Sequence, residues 1–119
     1  MSSQATVHSG AVILAHAAVG PESTVGQGAL LNTGSSMDHE STLGDYASLG
    51  PGARTGGNVS VGERTMVGIQ AEILHGITVG SDCVVGAHSL VNSDLDSNIV
   101  AWGTPARTVR TRLKDDPYY

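Results

Sequence analysis

Phenylalanine is absent, tryptophan occurs once and tyrosine three times, which excludes a core built on large aromatic side chains. Charge is also sparse. Only 14% of the 119 residues are Asp, Glu, Lys or Arg, and a net charge of −5 argues against nucleic-acid or anionic-membrane binding. No apolar run approaches the roughly 20 residues that cross a bilayer. The opening MSSQATVHSG has neither the basic start nor the apolar stretch of a signal peptide. Cys83 is the single cysteine, so no internal disulfide can form, and a reducing cytoplasm is the expected location. The chain does have 16 glycines and a remainder rich in Val, Ile, Leu and Ala, which suggests one domain with a narrow core of many similar small layers.

A period of six organises those residues. Every sixth position from Val7 reads Ile13, Val19, Val25, Leu31, Met37, Leu43, Leu49, Thr55, Val61, Val67, Ile73, Val79, Val85 and Val91, and only Thr55 is not a large apolar residue. Four positions after each apolar residue comes a small or modest one, from Ala11 and Ala17 to Cys83 and Ser89. Glycine often follows the apolar residue directly, as at Gly44, Gly50, Gly56 and Gly62. An α-helix needs apolar spacing near 3.6 and a lone strand needs spacing of 2. Six residues instead supply one short strand and one bend, with the apolar side chain inward and the glycine expected to tolerate the bend's backbone angles. Three such strands close a triangular coil of about eighteen residues, the hexapeptide β-helix, whose coils stack roughly 4.8 Å apart.

Residues 7–92 are expected to form this all-β helix, with 1–6 leading in and 93–119 as a closing extension. In that extension TVRTRLKD can form a short terminal helix, and some cap is needed over the strand edge of the last coil. Cys83 falls at the small inward position and is expected to be a buried structural thiol. Four of the six basic residues, Arg107, Arg110, Arg112 and Lys114, lie in the last thirteen. They form either a solvated tail or a patch for a phosphate-bearing ligand.

An eighteen-residue coil stacks residues eighteen apart in one column, so His39, Gly57 and His75 share one. Gly57, with no side chain to block its N–H, sits one coil above His39. That pairs a possible general base with a possible oxyanion donor. Asp38 and Glu40 flank His39, and a carboxylate beside an imidazole can fix its tautomer and raise its basicity. His75 lines the same column, two coil spacings from His39 and beyond a direct bond. His8, His16 and His88 fall at scattered turns and read as exposed.

The stretch LLNTGSSMDHESTLGDYASLGPGARTGGNVSVGERTMVG, continued by GITVGSDCVVGAHSLV and AWGTPAR, resembles the sugar O- and N-acetyltransferases of the sialic-acid and bacillosamine pathways, the NeuD/PglD group. The likeness runs from about Gly10 to Arg107. It implies a left-handed coil and an acetyl-CoA-dependent acyltransferase that acts on an amino or hydroxyl group of a sugar or amino-sugar acceptor without a metal. It also implies a cytoplasmic homotrimer with sites between prisms. By resemblance His39 is the general base, supported by Glu40 or Asp38, and the acetyl-CoA contacts fall on Ser48, Gly57, Ile69 and Ala87. Arg107 becomes the best candidate for the CoA phosphates. The chain departs from the pattern at Ser48, where the group usually has His, and at His88, where GAHS replaces GAGS. No G-x-G-x-x-G or strand–helix alternation precedes the first coil, so recognition by the group's N-terminal nucleotide-sugar-binding domain is not carried over.

Two other function classes fit a β-helix of this kind. A metal enzyme like the γ-type carbonic anhydrases needs three His ligands around one ion, but this chain has no H-x4-H pair and its histidines fall in different columns except His39 and His75. A non-catalytic solenoid that binds a partner is the alternative left open by the missing domain.

Overall fold

A computed structural model describes residues 4–113 and 116, and each hexad in it is a two-residue strand followed by a four-residue corner. The strands stack into three parallel sheets, the faces of a left-handed prism. The first face holds Thr6–Val7, Thr24–Val25, Thr42–Leu43, Ser60–Val61 and Thr78–Val79. The second holds Val12–Ile13, Leu30–Leu31, Ser48–Leu49, Met66–Val67 and Val84–Val85, and the third holds Ala18–Val19, Ser36–Met37, Arg54–Thr55, Glu72–Ile73 and Leu90–Val91. Every parallel pair in these sets is in eighteen-residue register, as in Thr24 with Thr42 and Met66 with Val84.

The second residue of each strand points into the prism. Val25, Leu31, Leu43, Leu49, Val67 and Ile73 are fully buried, each contributing about 1.5–3 kcal/mol relative to exposure. Val7 and Ile13 are only partly buried because no coil stacks beneath the first. The small residues of the second series fill the corners from inside, and Ala29, Ala53, Thr65 and Cys83 have no exposed surface. Large side chains there would not fit, which is why the composition is so poor in aromatics.

The glycines that follow the inward residues serve a different purpose from the one expected. None of Gly20, Gly26, Gly44, Gly50, Gly56, Gly62, Gly68, Gly80 or Gly86 has a positive φ. They are small because the next coil lies against them: a Cβ on Gly44 would sit 2.7 Å from Glu63 N, and one on Gly62 2.6 Å from the Gly80 carbonyl carbon. The left-handed residue of each corner comes two positions later. Nine corners fill it with a side-chain residue at φ between 54° and 60°, namely His16, Glu22, Glu40, Tyr46, Asn58, Arg64, Gln70, Asp82 and His88. From Glu40 onward the strain of that backbone region is offset by a hydrogen bond to the coil below. Glu40 N–H donates to Pro21 O at 3.0 Å, Asn58 to His39 O at 2.8 Å and His88 to Ile69 O at 2.8 Å.

Past Val91 the expected terminal helix does not form. Ile99–Gly103 adds to the second face in parallel with Val84–Val85, and Ala106–Thr111 returns antiparallel to it. The β-branched Thr108, Val109 and Thr111 favour a strand, and pairing covers the edge that the last coil would leave open. Lys114 and Asp115 lie outside the described residues. Arg112, expected in either a solvated tail or a basic patch, is buried and anchors the extension, donating to Asp82 O at 2.6 Å and Asp116 O at 2.7 Å. Arg110 pairs with Asp116 at 3.0 Å.

Candidate active site

Residues 39, 57 and 75 stack at the corner between the third and first faces. Two serines fix this edge. Ser23 Oγ donates to Asp38 O at 2.8 Å and accepts from Ser41 N at 3.1 Å. One coil on, Ser41 Oγ donates to Gly56 O at 2.9 Å and accepts from Val59 N at 3.1 Å. Both hydroxyls are buried, so the backbone carrying His39 is tied to the backbone carrying Gly57. The small inward series contained this signal, but its serines were read only for size.

The His39 ring lies directly over Gly57. A Cβ at 57 would contact His39 Nε2, with Cε1 2.6 Å away and Cδ2 3.0 Å away. Glu40 Oε1 stands 3.1 Å from His39 Nδ1. A carboxylate on Nδ1 selects the neutral tautomer with its lone pair on Nε2, the nitrogen turned toward Gly57. Both side chains are about half exposed, at 46% and 58%. Asp38, the other carboxylate named for this ring, accepts the His39 backbone N–H on Oδ1 at 2.8 Å and so shapes the turn. His75 completes the column, its ring centroid 6.1 Å from that of His39 with the planes inclined at 49°.

Gly57 is buried, and its N–H donates to no other described residue. The equivalent amides of Thr33 and His39 are covered by the preceding side chains, Asn32 Oδ1 at 2.7 Å and Asp38 Oδ1 at 2.8 Å. Gly56 has no side chain to do the same.

Of the residues expected to touch acetyl-CoA, Gly57 shares the edge of His39, and the others lie elsewhere on the prism. Ile69 is 49% exposed at the corner between the second and third faces, and a shallow groove joins it to Ser48 across Met66 and Pro51. Ala87 stacks one coil above Ile69, where a Cβ on Gly68 would lie 2.8 Å from its N. At the next level Trp102 packs over Gly86, and Arg107 is its partner in the antiparallel ladder. Arg107 is exposed, its guanidinium bonded among the described residues to the Ala106 carbonyl at 3.1 Å. Ser48, Ile69, Ala87 and Arg107 therefore follow the prism axis, but one protomer places them across the third face from His39.

The shifted titrations lie elsewhere. Arg64 chelates Asp82 at 2.8 and 2.9 Å. Its hydrogen bonds hold the Asp82 carboxyl below its ordinary range, and Asp82 pushes the Arg64 guanidinium up. The Leu113 N–H, followed by Arg110, lowers Asp116.

Residues 58–93 match the family model described as bacterial transferase hexapeptide (six repeats). No curated protein sequence matches the chain. Among solved structures, the chain is similar to a variant of GDP-perosamine N-acetyltransferase from Caulobacter crescentus in complex with CoA and GDP-perosamine. That similarity is 35% identity and a TM-score of 0.80, over 89% of this chain and 53% of that one. It is also similar to the acetyltransferase domain of PglB from Neisseria gonorrhoeae in complex with acetyl coenzyme A, at 30% identity and a TM-score of 0.90, over 91% of this chain and 53% of that one. The chain thus spans about half the length of these relatives. Repeat, coil and identity together place it among the hexapeptide-repeat proteins, where it resembles the NeuD/PglD group of sugar acetyltransferases.

Proposed function

We propose that this chain transfers an acetyl group from acetyl-CoA to an amino or hydroxyl group of a sugar or nucleotide-sugar. One observation carries the reading: His39 lies on Gly57 with Glu40 on its far nitrogen. In the proposed step His39 Nε2 takes the proton of the acceptor N–H or O–H as that atom attacks the thioester carbonyl. The Gly57 N–H receives the developing oxyanion. Collapse of the tetrahedral intermediate breaks the C–S bond, and the departing thiolate takes the proton from His39. Glu40 holds the imidazolium and Asp38 holds the turn, with no covalent enzyme intermediate and no metal.

Gly57 meets the acetyl carbonyl, and Ser48, Ile69, Ala87 and Arg107 are the other proposed CoA contacts. Their alignment along the axis suits a long pantetheine ending in phosphates, with Arg107 the terminal cation. Since one prism sets them on a different edge from His39, the reading calls for neighbouring prisms, His39 coming from one and the cofactor edge from the next. A homotrimer provides that. Four of the five outward residues of the second face, Val12, Leu30, Met66 and Val84, are apolar and the fifth is Ser48, whereas the first face presents Thr6, Thr24, Thr42, Ser60 and Thr78. The second face is thus the one with apolar area to bury. A single buried thiol needs no oxidising compartment, and we place the reaction in the cytoplasm.

The test is free-thiol release from acetyl-CoA with a panel of nucleotide-linked amino sugars, GDP-perosamine first. His39→Ala should lower kcat by at least about 100-fold without unfolding the protein, and light scattering should give three times the chain mass. Unchanged turnover by His39→Ala removes it from the mechanism. A monomer that turns over overturns the shared site, and failure to bind CoA favours a non-catalytic solenoid.

A further inference from the structure

We infer that His75 reads the group next to the reacting atom of the acceptor, which makes the preferred substrate a vicinal amino alcohol or vicinal diol. The inference rests on the transferase reading and adds a second recognition point to it.

Residues two coils apart stand about 10 Å apart along the axis, yet the rings of His39 and His75 approach to 6.1 Å between centroids. The side chains therefore close up along the column, and His39 leans over Gly57, the residue between them. Only a glycine leaves that space, since a Cβ at 57 would meet the His39 ring. The two imidazoles form no direct hydrogen bond, and both are exposed, so one ligand lying along this edge can reach a nitrogen of each. Their situations differ. Glu40 engages the far nitrogen of His39, while His75 is exposed and hydrogen-bonds to no other described residue, so it can present a donor or an acceptor.

Two neighbouring imidazoles on one exposed edge suit the heteroatoms on adjacent ring carbons of a sugar, which lie about one hydrogen-bond length apart. When the reacting amine or hydroxyl sits against His39 Nε2, the substituent on the next carbon reaches the His75 ring. An acceptor without that substituent leaves His75 unmatched and the sugar free to rotate about its remaining contact. A missing hydrogen bond at a site built to make it is discriminated strongly. His75 is thus a specificity-determining residue and takes no part in proton removal.

The experiment compares kcat/KM for acetyl transfer from acetyl-CoA to GDP-perosamine and to its 3-deoxy analogue, which lacks the hydroxyl beside the 4-amino group. Wild type should prefer the parent sugar by about tenfold or more. His75→Ala should bring the parent down to the level of the 3-deoxy analogue, mainly through KM, and leave the analogue's value unchanged. His75→Gln, which keeps a donor and an acceptor, should restore part of the preference. Melting curves should coincide for all three proteins, because the side chain is exposed. If wild type turns over both sugars equally, or if His75→Ala retains the preference or lowers both sugars by one factor, the role assigned to His75 is wrong. If GDP-perosamine is not acetylated, the parent and deoxy pair is built on whichever amino sugar of the panel is; thiol release from acetyl-CoA with none of them refutes the transferase reading itself, and this inference goes with it.

Discussion

Gly57→Ala should inactivate the protein while leaving it folded. The new methyl would contact His39 Nε2 and lie 2.6 Å from Cε1, against an ordinary carbon–carbon separation of about 3.5–4.0 Å. The neighbour is the end of a half-exposed side chain, so the ring swings out by about 1 Å and the backbone stays put. A displacement of that size at a reacting group costs about 100-fold in rate, equivalent to about 2.7 kcal/mol of barrier. Folding is spared because φ at 57 is not positive, and alanine restricts the unfolded chain by about 0.4–1 kcal/mol in the opposite direction. Gly56→Ala is the contrasting control. Its methyl would meet backbone atoms, His75 N at 2.8 Å and Cα at 3.1 Å, which cannot move aside, so it should cost about 1–3 kcal/mol of stability. Thiol release and thermal unfolding by circular dichroism, measured on both variants, separate the two effects. Wild-type turnover by Gly57→Ala, or a loss of activity matched by a fall in melting temperature, would show that the ring does not act from its place over residue 57.

Two further outcomes follow from buried and paired groups. Cys83 has no exposed surface, with Sγ 3.0 Å from the Asp96 carbonyl oxygen. It should therefore ignore an aromatic disulfide reagent until denaturant is added, and one reactive thiol per native chain would contradict the packing. Asp82 titrates below its unfolded value because Arg64 hydrogen-bonds it. The stability it adds is present above an unfolded-chain pKa of about 3.9 and fades as pH falls through the lower folded value. Arg64→Ala should thus melt below wild type at pH 6, with the two curves converging as pH falls through the lowered value of Asp82. A constant gap across that range would assign the difference to packing.

The coil was legible because its period is enforced by stacking. A slip of one residue would turn Leu31 or Ile73 outward, so the phase holds from Val7 to Val91 and can be read without side-chain detail. The His39–Gly57 column followed from the same arithmetic. Side-chain direction did not, because Asp38 and Glu40 flank His39 equally in sequence. Only the left-handed backbone at Glu40 sends its carboxylate back to the ring while Asp38 caps the turn. The extension failed for a related reason. TVRTRLKD has an acceptable helical composition, but the open edge of Ile99–Gly103 offers a ladder of hydrogen bonds that an isolated helical turn cannot match. Arg112 looked like a tail charge because nothing nearby in sequence reveals the Asp82 carbonyl thirty residues away.

Gly56 and Gly57 show how far a residue type alone can be read. The first belongs to the series that follows each inward residue, where glycine recurs because the next coil presses on it. The second occupies the next position in the corner, held elsewhere by Ser9, Ala15, Pro21, Gln27, Thr33, His39, Asp45, Pro51, Glu63, Ile69, His75, Ser81 and Ala87. The coil therefore accepts almost any side chain there, and φ at 57 sets no conformational demand. Stacking accounts for Gly56 and leaves Gly57 without a folding reason. At 57 a side chain would displace the His39 ring, and the amide there is uncapped because Gly56 has no side chain to accept from it. In the proposed mechanism both features serve the reaction, and neither is asked for by the repeat.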